Sequence, residues 1–427
     1  MSERVPEGWT QSRVINFVNV GRGYAFKSFD YHSTGNPIVR VTNISDSNGL
    51  DLSNNIVYLT KDRATEFQSY QLKDDDFLLV MVGATIGKYA KVSTQGKSLF
   101  LNQNMWRLSV IDKQTQSQKF AIYGLQKVIE EFLRTMQGSA REFLTQKEFG
   151  KATLILPPLP EQKKIASILT SVDEVIESTQ KQIDKLQDLK KATMNKLLTK
   201  GIGHTEFKDS ELGRIPKSWE CMSVGEMLEK KFLLVVKDGN HGSQYPRTSE
   251  FQKHGIPFLA ASSIDENGFF NINSLPHLSL DRAAKLRIPN AKSGDVILTH
   301  NATVGRVSII PDNVKEVITS TSTTYYRLNP NKFFNKYLRD FFEGLLFQNQ
   351  LGRIMGQTTR NQVPITAQRN LFILYPDSIS KQAEISSILT SLREQLTNMQ
   401  HKLQTLKSLK KSLIQDLLTG KVRVKVN

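Results

Sequence analysis

One cysteine, Cys221, stands among 427 residues. A disulfide framework and a cysteine-based metal site are therefore excluded, and the reducing cytosol is the expected compartment. No apolar run approaches the length of a membrane span. Met1-Ser2-Glu3-Arg4 leads into Pro6-Glu7-Gly8-Trp9 without an apolar signal region. Acidic side chains are also short: 41 Asp and Glu face 57 Lys and Arg, for a formal net charge of +16. That balance suits a polyanionic partner, most simply nucleic acid, although an ordinary basic soluble protein shows it too. Hydrophobic content of 39% and charged content of 23% fit a globular chain. Its length suggests about two to four domains.

Catalytic constellations are missing as well. Gly83-Ala84-Thr85-Ile86-Gly87-Lys88-Tyr89 imitates a phosphate loop but is one residue short between its glycines. It also lacks the Ser or Thr that would hold Mg²⁺, and reads as a turn after a strand. Gly21-Arg22-Gly23 does not extend to a dinucleotide fingerprint. An Asn-Pro-Pro-Tyr motif of the amino-methyltransferase type is absent. Pro311-Asp312 with Glu316-Val317-Ile318 has Ile where a nuclease motif needs Lys. The seven histidines (His32, His204, His241, His254, His277, His300, His401) show no metal-ligand spacing. No catalytic, cofactor-binding or metal-binding residue is assigned.

What the chain does contain, it contains twice. Ile165-Ala166-Ser167-Ile168-Leu169-Thr170-Ser171 returns as Ile385-Ser386-Ser387-Ile388-Leu389-Thr390-Ser391, a shift of 220. The register holds through Leu197-Leu198-Thr199 and Leu417-Leu418-Thr419. A period this long is a duplicated module, not a solenoid. Four segments follow. Residues 1–150 are mixed, with short β-rich runs between turn residues. Residues 151–203 carry a long helix, entered at Pro157-Pro158-Leu159-Pro160 and left at Gly201-Ile202-Gly203. Residues 204–370 repeat the mixed texture and 371–427 the helix. The mixed segments are themselves related: Asp76-Phe77-Leu78-Leu79 before Ala84-Thr85-Ile86-Gly87-Lys88 matches Asp295-Val296-Ile297-Leu298 before Ala302-Thr303-Val304-Gly305-Arg306. Trp9 and Trp219 occupy equivalent places and read as core anchors.

Ile165, Leu169, Val172, Ile176, Thr179, Ile183 and Leu186 step by four and three, as do Ile385, Leu389, Leu392, Leu396, Met399, Leu403 and Leu406. That is a coiled-coil seam. Lys190 and Lys410 fall at the next expected position, with Leu189 and Leu409 one place early, which predicts a three-residue step that overwinds the supercoil. About forty helical residues span roughly 60 Å. The simplest arrangement packs the helices on each other, antiparallel; the other packs each on its own domain. The expected fold is α+β: two mixed domains separated by two long helices, in a pseudo-two-fold repeat. Lys181, Lys185, Lys190, Lys191 and Lys196, with Lys402, Lys407, Lys410 and Lys411, lie mostly off the seam and read for the most part as a solvated face, with some available to phosphates or partners.

Several passages resemble one family. Leu156-Pro157-Pro158-Leu159-Pro160-Glu161-Gln162-Lys163-Lys164-Ile165-Ala166 looks like its helix entry, and Leu197-Leu198-Thr199-Lys200-Gly201 like its exit. Glu211-Leu212-Gly213-Arg214-Ile215-Pro216-Lys217-Ser218-Trp219 resembles the opening of a target-recognition domain. Gly23-Tyr24-Ala25-Phe26-Lys27-Ser28 and Asp238-Gly239-Asn240-His241-Gly242 resemble alternative early motifs of such domains. In this order, and twice over, they resemble the specificity (S) subunit of type I restriction–modification enzymes across nearly the whole chain. One departure stands out. Leu374-Tyr375-Pro376-Asp377-Ser378-Ile379-Ser380-Lys381-Gln382 has lost the proline-rich turn and the Glu, so that junction is expected to bend differently.

The resemblance implies a non-catalytic DNA-specificity subunit. Each mixed domain would read one half of a bipartite, asymmetric duplex target. The helices would set the spacing and dock two methyltransferase (M) subunits, and through them restriction–translocation (R) subunits. S-adenosylmethionine, Mg²⁺ and ATP would belong to those partners. The loop residues that would meet DNA are Arg40, Asn43, Lys88, Gln103, Asn104 and Arg141 in the first domain. In the second they are Ser263, Asn301, Arg306, Thr323, Arg360, Asn361 and Gln362. An S-like subunit of a methylation-only or fused system, and a coiled-coil protein scaffold, remain as alternatives.

Overall fold

The computed structural model describes residues 5–45, 48–136, 144–356 and 361–426. The chain divides into two compact units, Met1–Gln180 with Lys402–Asn427, and Lys181–His401. Each unit thus includes part of both long helices.

In the first unit the order is β1 (Thr10–Arg13), α1 (Val14–Phe17), β2 (Val18–Arg22), β3 (Asn36–Val39), β4 (Val57–Leu59), α2 (Lys61–Glu66), β5 (Phe77–Val80), β6 (Tyr89–Lys91), β7 (Phe100–Leu101), β8 (Met105–Val110), α3 (Gln118–Met136), α4 (Gln146–Phe149) and β9 (Thr153–Leu156). The long helix α5 (Leu159–Lys200) follows. The second unit adds β10 (Phe207–Ser210), β11 (Gly213–Pro216), β12 (Trp219–Ser223), α6 (Val224–Glu229), β13 (Leu233–Lys237), β14 (Phe251–Gln252), β15 (Ile256–Leu259), β16 (His277–Leu278), α7 (Leu280–Ala284), β17 (Ala291–Lys292), β18 (Val296–Asn301), β19 (Thr303–Ile309), β20 (Glu316–Thr319), β21 (Thr323–Leu328), α8 (Asn335–Glu343), α9 (Leu345–Met355), α10 (Ile365–Gln368) and β22 (Phe372–Pro376), before the second long helix α11 (Ile379–Leu418).

The repeat seen in the sequence is a repeat of topology. One antiparallel sheet runs β2-β8-β5-β6 and its counterpart runs β13-β21-β18-β19. A parallel pairing of β3 with β7 is matched by β15 with β20. β1 pairs with β9 as β12 pairs with β22. The central strand β5 and the first half of β18, Val296-Ile297-Leu298, are buried on both faces, so they read as apolar runs without alternation.

Trp9 and Trp219 are both buried in the main core of their own unit. The first core takes Ile165 and Leu169 from α5 with Leu417 and Leu418 from α11; the second takes Met194, Leu197 and Leu198 from α5 with Ile385 and Leu389 from α11. Early residues of one helix meet late residues of the other, the antiparallel pairing of a two-helix coil. Full burial of each such aliphatic side chain stabilises by about 1.5–3 kcal/mol. Pro160 in the first turn of α5 loses no helical hydrogen bond. Gly201 and Gly420 cap the two helices in the left-handed region, with φ of 65° and 70°.

Two expectations about the helices are corrected. The seam does not skip a residue: Lys190 and Lys410 stay half-buried at the heptad position, while Leu189 and Leu409 are 52% and 48% exposed. The lysines hold the register because each meets a carboxylate, Glu343 at 3.9 Å and Asp173 at 2.7 Å. The second helix entry also keeps the geometry of the first. Gln162 Nε2 donates to Pro157 O, and its Oε1 accepts from the Ser117 N–H, each at 2.9 Å. Gln382 Nε2 donates to Pro376 O, and its Oε1 accepts from the Phe334 N–H, also at 2.9 Å. One proline carbonyl and one buried glutamine carry the turn, so the lost prolines change little.

Candidate nucleic-acid interface

In each unit the loops at one end of the antiparallel sheet are tied into a single backbone frame. In the first, Gly23 N–H donates to Met105 O (3.4 Å), Tyr24 N–H to Leu101 O (3.0 Å) and Gln103 N–H to Tyr24 O (2.8 Å). Met81 N–H then donates to Asn104 O (3.1 Å), and Leu144 N–H to Met81 O (2.8 Å). In the second, Gly239 N–H donates to Ser320 O (3.2 Å), His300 N–H to Ser322 O (2.9 Å) and Val363 N–H to His300 O (2.8 Å). The last two bonds of each set join equivalent residues.

Gly23 and Gly239 are needed for this closure. A Cβ on Gly23 would lie 1.8 Å from Asn102 O, and one on Gly239 would lie 2.3 Å from Ser320 C. Only hydrogen fits there.

The frame is common; the side chains on it differ. The first unit presents Gln103 and Asn104, both exposed, in the tight turn from β7 to β8, with Asn104 at φ 73°. The second presents Thr321 and Ser322 there. Met81 is replaced by His300, and Gly83-Ala84-Thr85 by a continuous hairpin from β18 to β19. Asn301 bridges to Gln362, and Ala302 N–H donates to Asn361 O at 3.1 Å. Asn361 is exposed, while Asn301 and Gln362 are half-buried. The structure therefore gathers Asn301, Asn361 and Gln362 into one place.

Other residues named from the sequence serve the scaffold. Asn43 is fully buried; its Oδ1 accepts from the Arg40 N–H at 3.0 Å, and its Nδ2 donates to Asp51 O and Asn54 O, each at 3.3 Å. Thr323 is also fully buried, its hydroxyl donating to Leu259 O and Ser320 O. Neither side chain reaches the surface, so both are removed from the set facing a ligand. Arg306 is half-buried in β19 and donates to Ile264 O. Arg40 is half-buried, donates to Asn55 O and lies 5.8 Å from the Tyr31 ring centroid. Lys88 and Ser263 are half-buried in their loops. Arg141 and Arg360 lie outside the described residues.

The geometry adds polar residues that had not been singled out for this surface. Asp238 Oδ2 lies 2.7 Å from His241 Nε2, and the His241 side chain is 63% exposed. His300 behind them is buried, with Nδ1 2.9 Å from Thr324 Oγ1. Burial pushes the His300 imidazole below its ordinary range, partly offset by Asp238. Asn240 Oδ1 accepts from the N–H groups of Arg287 and Ile288, each at 2.9 Å, and so shapes the loop. The pairing of Gly23 with Gly239 was the signal that could have located these neighbours.

These surfaces offer amides, hydroxyls and an imidazole on a fixed frame. Such groups form bidentate or single hydrogen bonds to base edges, and neighbouring cations meet phosphates. Among the described residues no helix is long and apolar enough to cross a membrane.

Comparison with known proteins matches this layout. A sequence profile of the type I restriction modification DNA specificity domain matches residues 6–188 and 216–408. The type I restriction enzyme MjaVIII specificity subunit of Methanocaldococcus jannaschii is 27% identical, covering 99% of this chain and 95% of that one. The EcoBI specificity subunit of Escherichia coli is 18% identical over 89% of this chain and 78% of its own. Among solved structures, the S subunit of a type I restriction–modification system from M. genitalium shares the fold. Its TM-score is 0.60, with 16% identity and 96% of each chain covered.

Proposed function

Because the chain belongs to the type I restriction modification DNA specificity family, and is a specificity subunit with two target-recognition domains, we propose that each domain reads one half of a bipartite, asymmetric duplex sequence. The observation that carries this reading is the shared loop frame with unshared side chains. A repeated scaffold presents two similar surfaces to DNA. Gln103 and Asn104 on one, and Asn361 with Asn301 and Gln362 on the other, offer different donors and acceptors.

Asn and Gln amides suit adenine, and arginine suits guanine, in the major groove. Lysines and arginines outside these loops supply salt-dependent affinity through phosphates. Two readers about one helical turn apart, roughly 34 Å, meet the same face of the duplex and leave the intervening bases unread. The long helices set that separation and dock two methyltransferase subunits, which in turn carry restriction–translocation subunits. Methyl transfer and cleavage, with S-adenosylmethionine, Mg²⁺ and ATP, belong to those partners. The complex works in the cytoplasm, where the single cysteine Cys221 stays reduced.

Methylome sequencing of a host carrying this chain with its methyltransferase subunit tests the reading. Methylation at two defined half-sites separated by a fixed unread spacer is expected. A continuous or palindromic target without a spacer would overturn it.

A further inference from the structure

In the first unit a clasp closes over the start of α5. Glu161, in the first turn of that helix, accepts from Trp9 Nε1 at 3.3 Å. Its carboxylate also accepts from Arg423 Nε at 3.0 Å and from Arg423 Nη2 at 2.6 Å. The guanidinium carbon lies 5.3 Å from the centre of the Trp9 ring. One carboxylate thus satisfies a buried indole and an arginine, at the end of a helix where anions are favoured.

The second unit repeats the clasp without its carboxylate. Trp219 corresponds to Trp9 and is fully buried. His204 stands three residues after the capping Gly201, as Arg423 stands three after Gly420. Its ring meets that of Trp219 edge-on, with centroids 6.2 Å apart. At the position of Glu161, 220 residues on, is Lys381, and the first turn of α11 holds no acidic residue. Trp219 Nε1 is left buried without a hydrogen-bond partner among the described residues. Nor do the side chains of Lys381 and His204 pair with any of them. All three side chains line one cavity of about 70 Å³ within the second unit, together with Ile202, Pro376 and Ile385. Glu384 lines it too, but is exposed and pairs with neither Trp219 nor Lys381.

We propose that this cavity binds a small carboxylate anion in the place that the Glu161 side chain fills in the first unit, accepting from Trp219 Nε1 and flanked by Lys381 and His204. Three observations set the class of ligand. A buried indole N–H left unpaired is destabilising, and only an acceptor relieves it. A lysine in the first turn of a helix opposes the helix dipole, and an anion beside it offsets that opposition. The cavity has room for a group the size of formate or acetate and none for a nucleotide. The bound anion joins the start of β12 to the entry of α11, as Glu161 joins Trp9 to the entry of α5. The inference does not depend on how the chain reads DNA.

The indole N–H resonances of the full chain, labelled on tryptophan, test the site, because Trp9, Trp106 and Trp219 are its three tryptophans. Sodium acetate, set against sodium chloride at equal ionic strength, should move the Trp219 resonance downfield, with half-saturation on the order of millimolar. Trp9, already bonded to Glu161, should stay in place. Lys381→Ala should raise the half-saturating acetate concentration by roughly tenfold. Lys381→Glu, which restores the carboxylate of the first clasp, should move the Trp219 resonance downfield without acetate and abolish the response to it. The resonance lost in Trp219→Phe identifies Trp219. Should that variant fail to fold, the melting temperature needs no assignment: acetate should raise it over chloride in the parent and not in Lys381→Glu. The absence of an acetate-specific response, an equal response at Trp9, or full affinity in Lys381→Ala would overturn the proposal. So would an upfield shift of Trp219 in Glu384→Gln without acetate, because Glu384 would then already occupy the place.

Discussion

At the scale of single residues, two kinds of position dominate: those that let backbones approach and those that sit buried with a proton in question. Gly23→Ala and Gly239→Ala each force a methyl group into a neighbouring backbone. Each should destabilise by about 2–3 kcal/mol or more, read as a lower urea midpoint. Midpoints within error of the parent would mean the loop frame yields more easily than its geometry suggests. His300 concerns pH. Burial lowers its folded pKa beneath the ordinary 6.5, so the unfolded chain takes up the proton first. Stability of the second unit should therefore hold above pH about 6.5 and fall as the pH drops below it. His300→Gln should flatten that slope between pH 7 and 5. Parallel pH profiles for variant and parent would contradict the assignment. Asn43 and Thr323 show why loop residues are hard to read from sequence. Both are polar and next to turns, yet both are consumed by backbone partners that only the folded chain brings near.

At the scale of elements, the long helices were the most legible part. Apolar periodicity identifies which face turns inward, and all thirteen apolar seam positions named from the sequence are buried or half-buried. The lysines that follow were misread because hydropathy has no means of crediting an ion pair. Lys190 and Lys410 stay in register through Glu343 and Asp173, and exposed Leu189 and Leu409 are left outside the seam. Leu169 and Leu389 are fully buried in their respective cores. Leu169→Asp or Leu389→Asp should cost several kcal/mol, on the order of 3–5, through an uncompensated buried charge. Thermal unfolding would register the loss; an unchanged melting temperature would argue that these residues are not core. The short strands were less legible. Their pairings, such as β3 beside β7 and β15 beside β20, join segments about sixty residues apart, which no local pattern encodes.

At the scale of the whole molecule, the repeated sheet order and paired helices make the specificity subunit modular. Replacing residues 1–150 with the first domain of another family member should change one half of the methylated sequence and spare the other. Methylome sequencing reads this directly, and changes in both halves would contradict independent domains. Inserting one heptad into both α5 and α11 should lengthen the unread spacer while leaving both half-sites as they were. An unaltered spacer in the methylated sites would refute the role of the helices as a ruler.

By itself the sequence determined the duplication, the helical seam and the family to which the chain belongs. These follow from local patterning and from residues repeated at a constant shift, which need no knowledge of what lies across the core. The tertiary structure alone decided which loop residues face outward, how Gln162 and Gln382 preserve both helix entries, and which partners Asp173 and Arg393 meet. Each of these depends on partners far apart in the chain, such as Tyr123 with Asp173 or Asp340 with Arg393. A side chain's chemistry is written in the sequence, but the group that satisfies it is chosen by the fold.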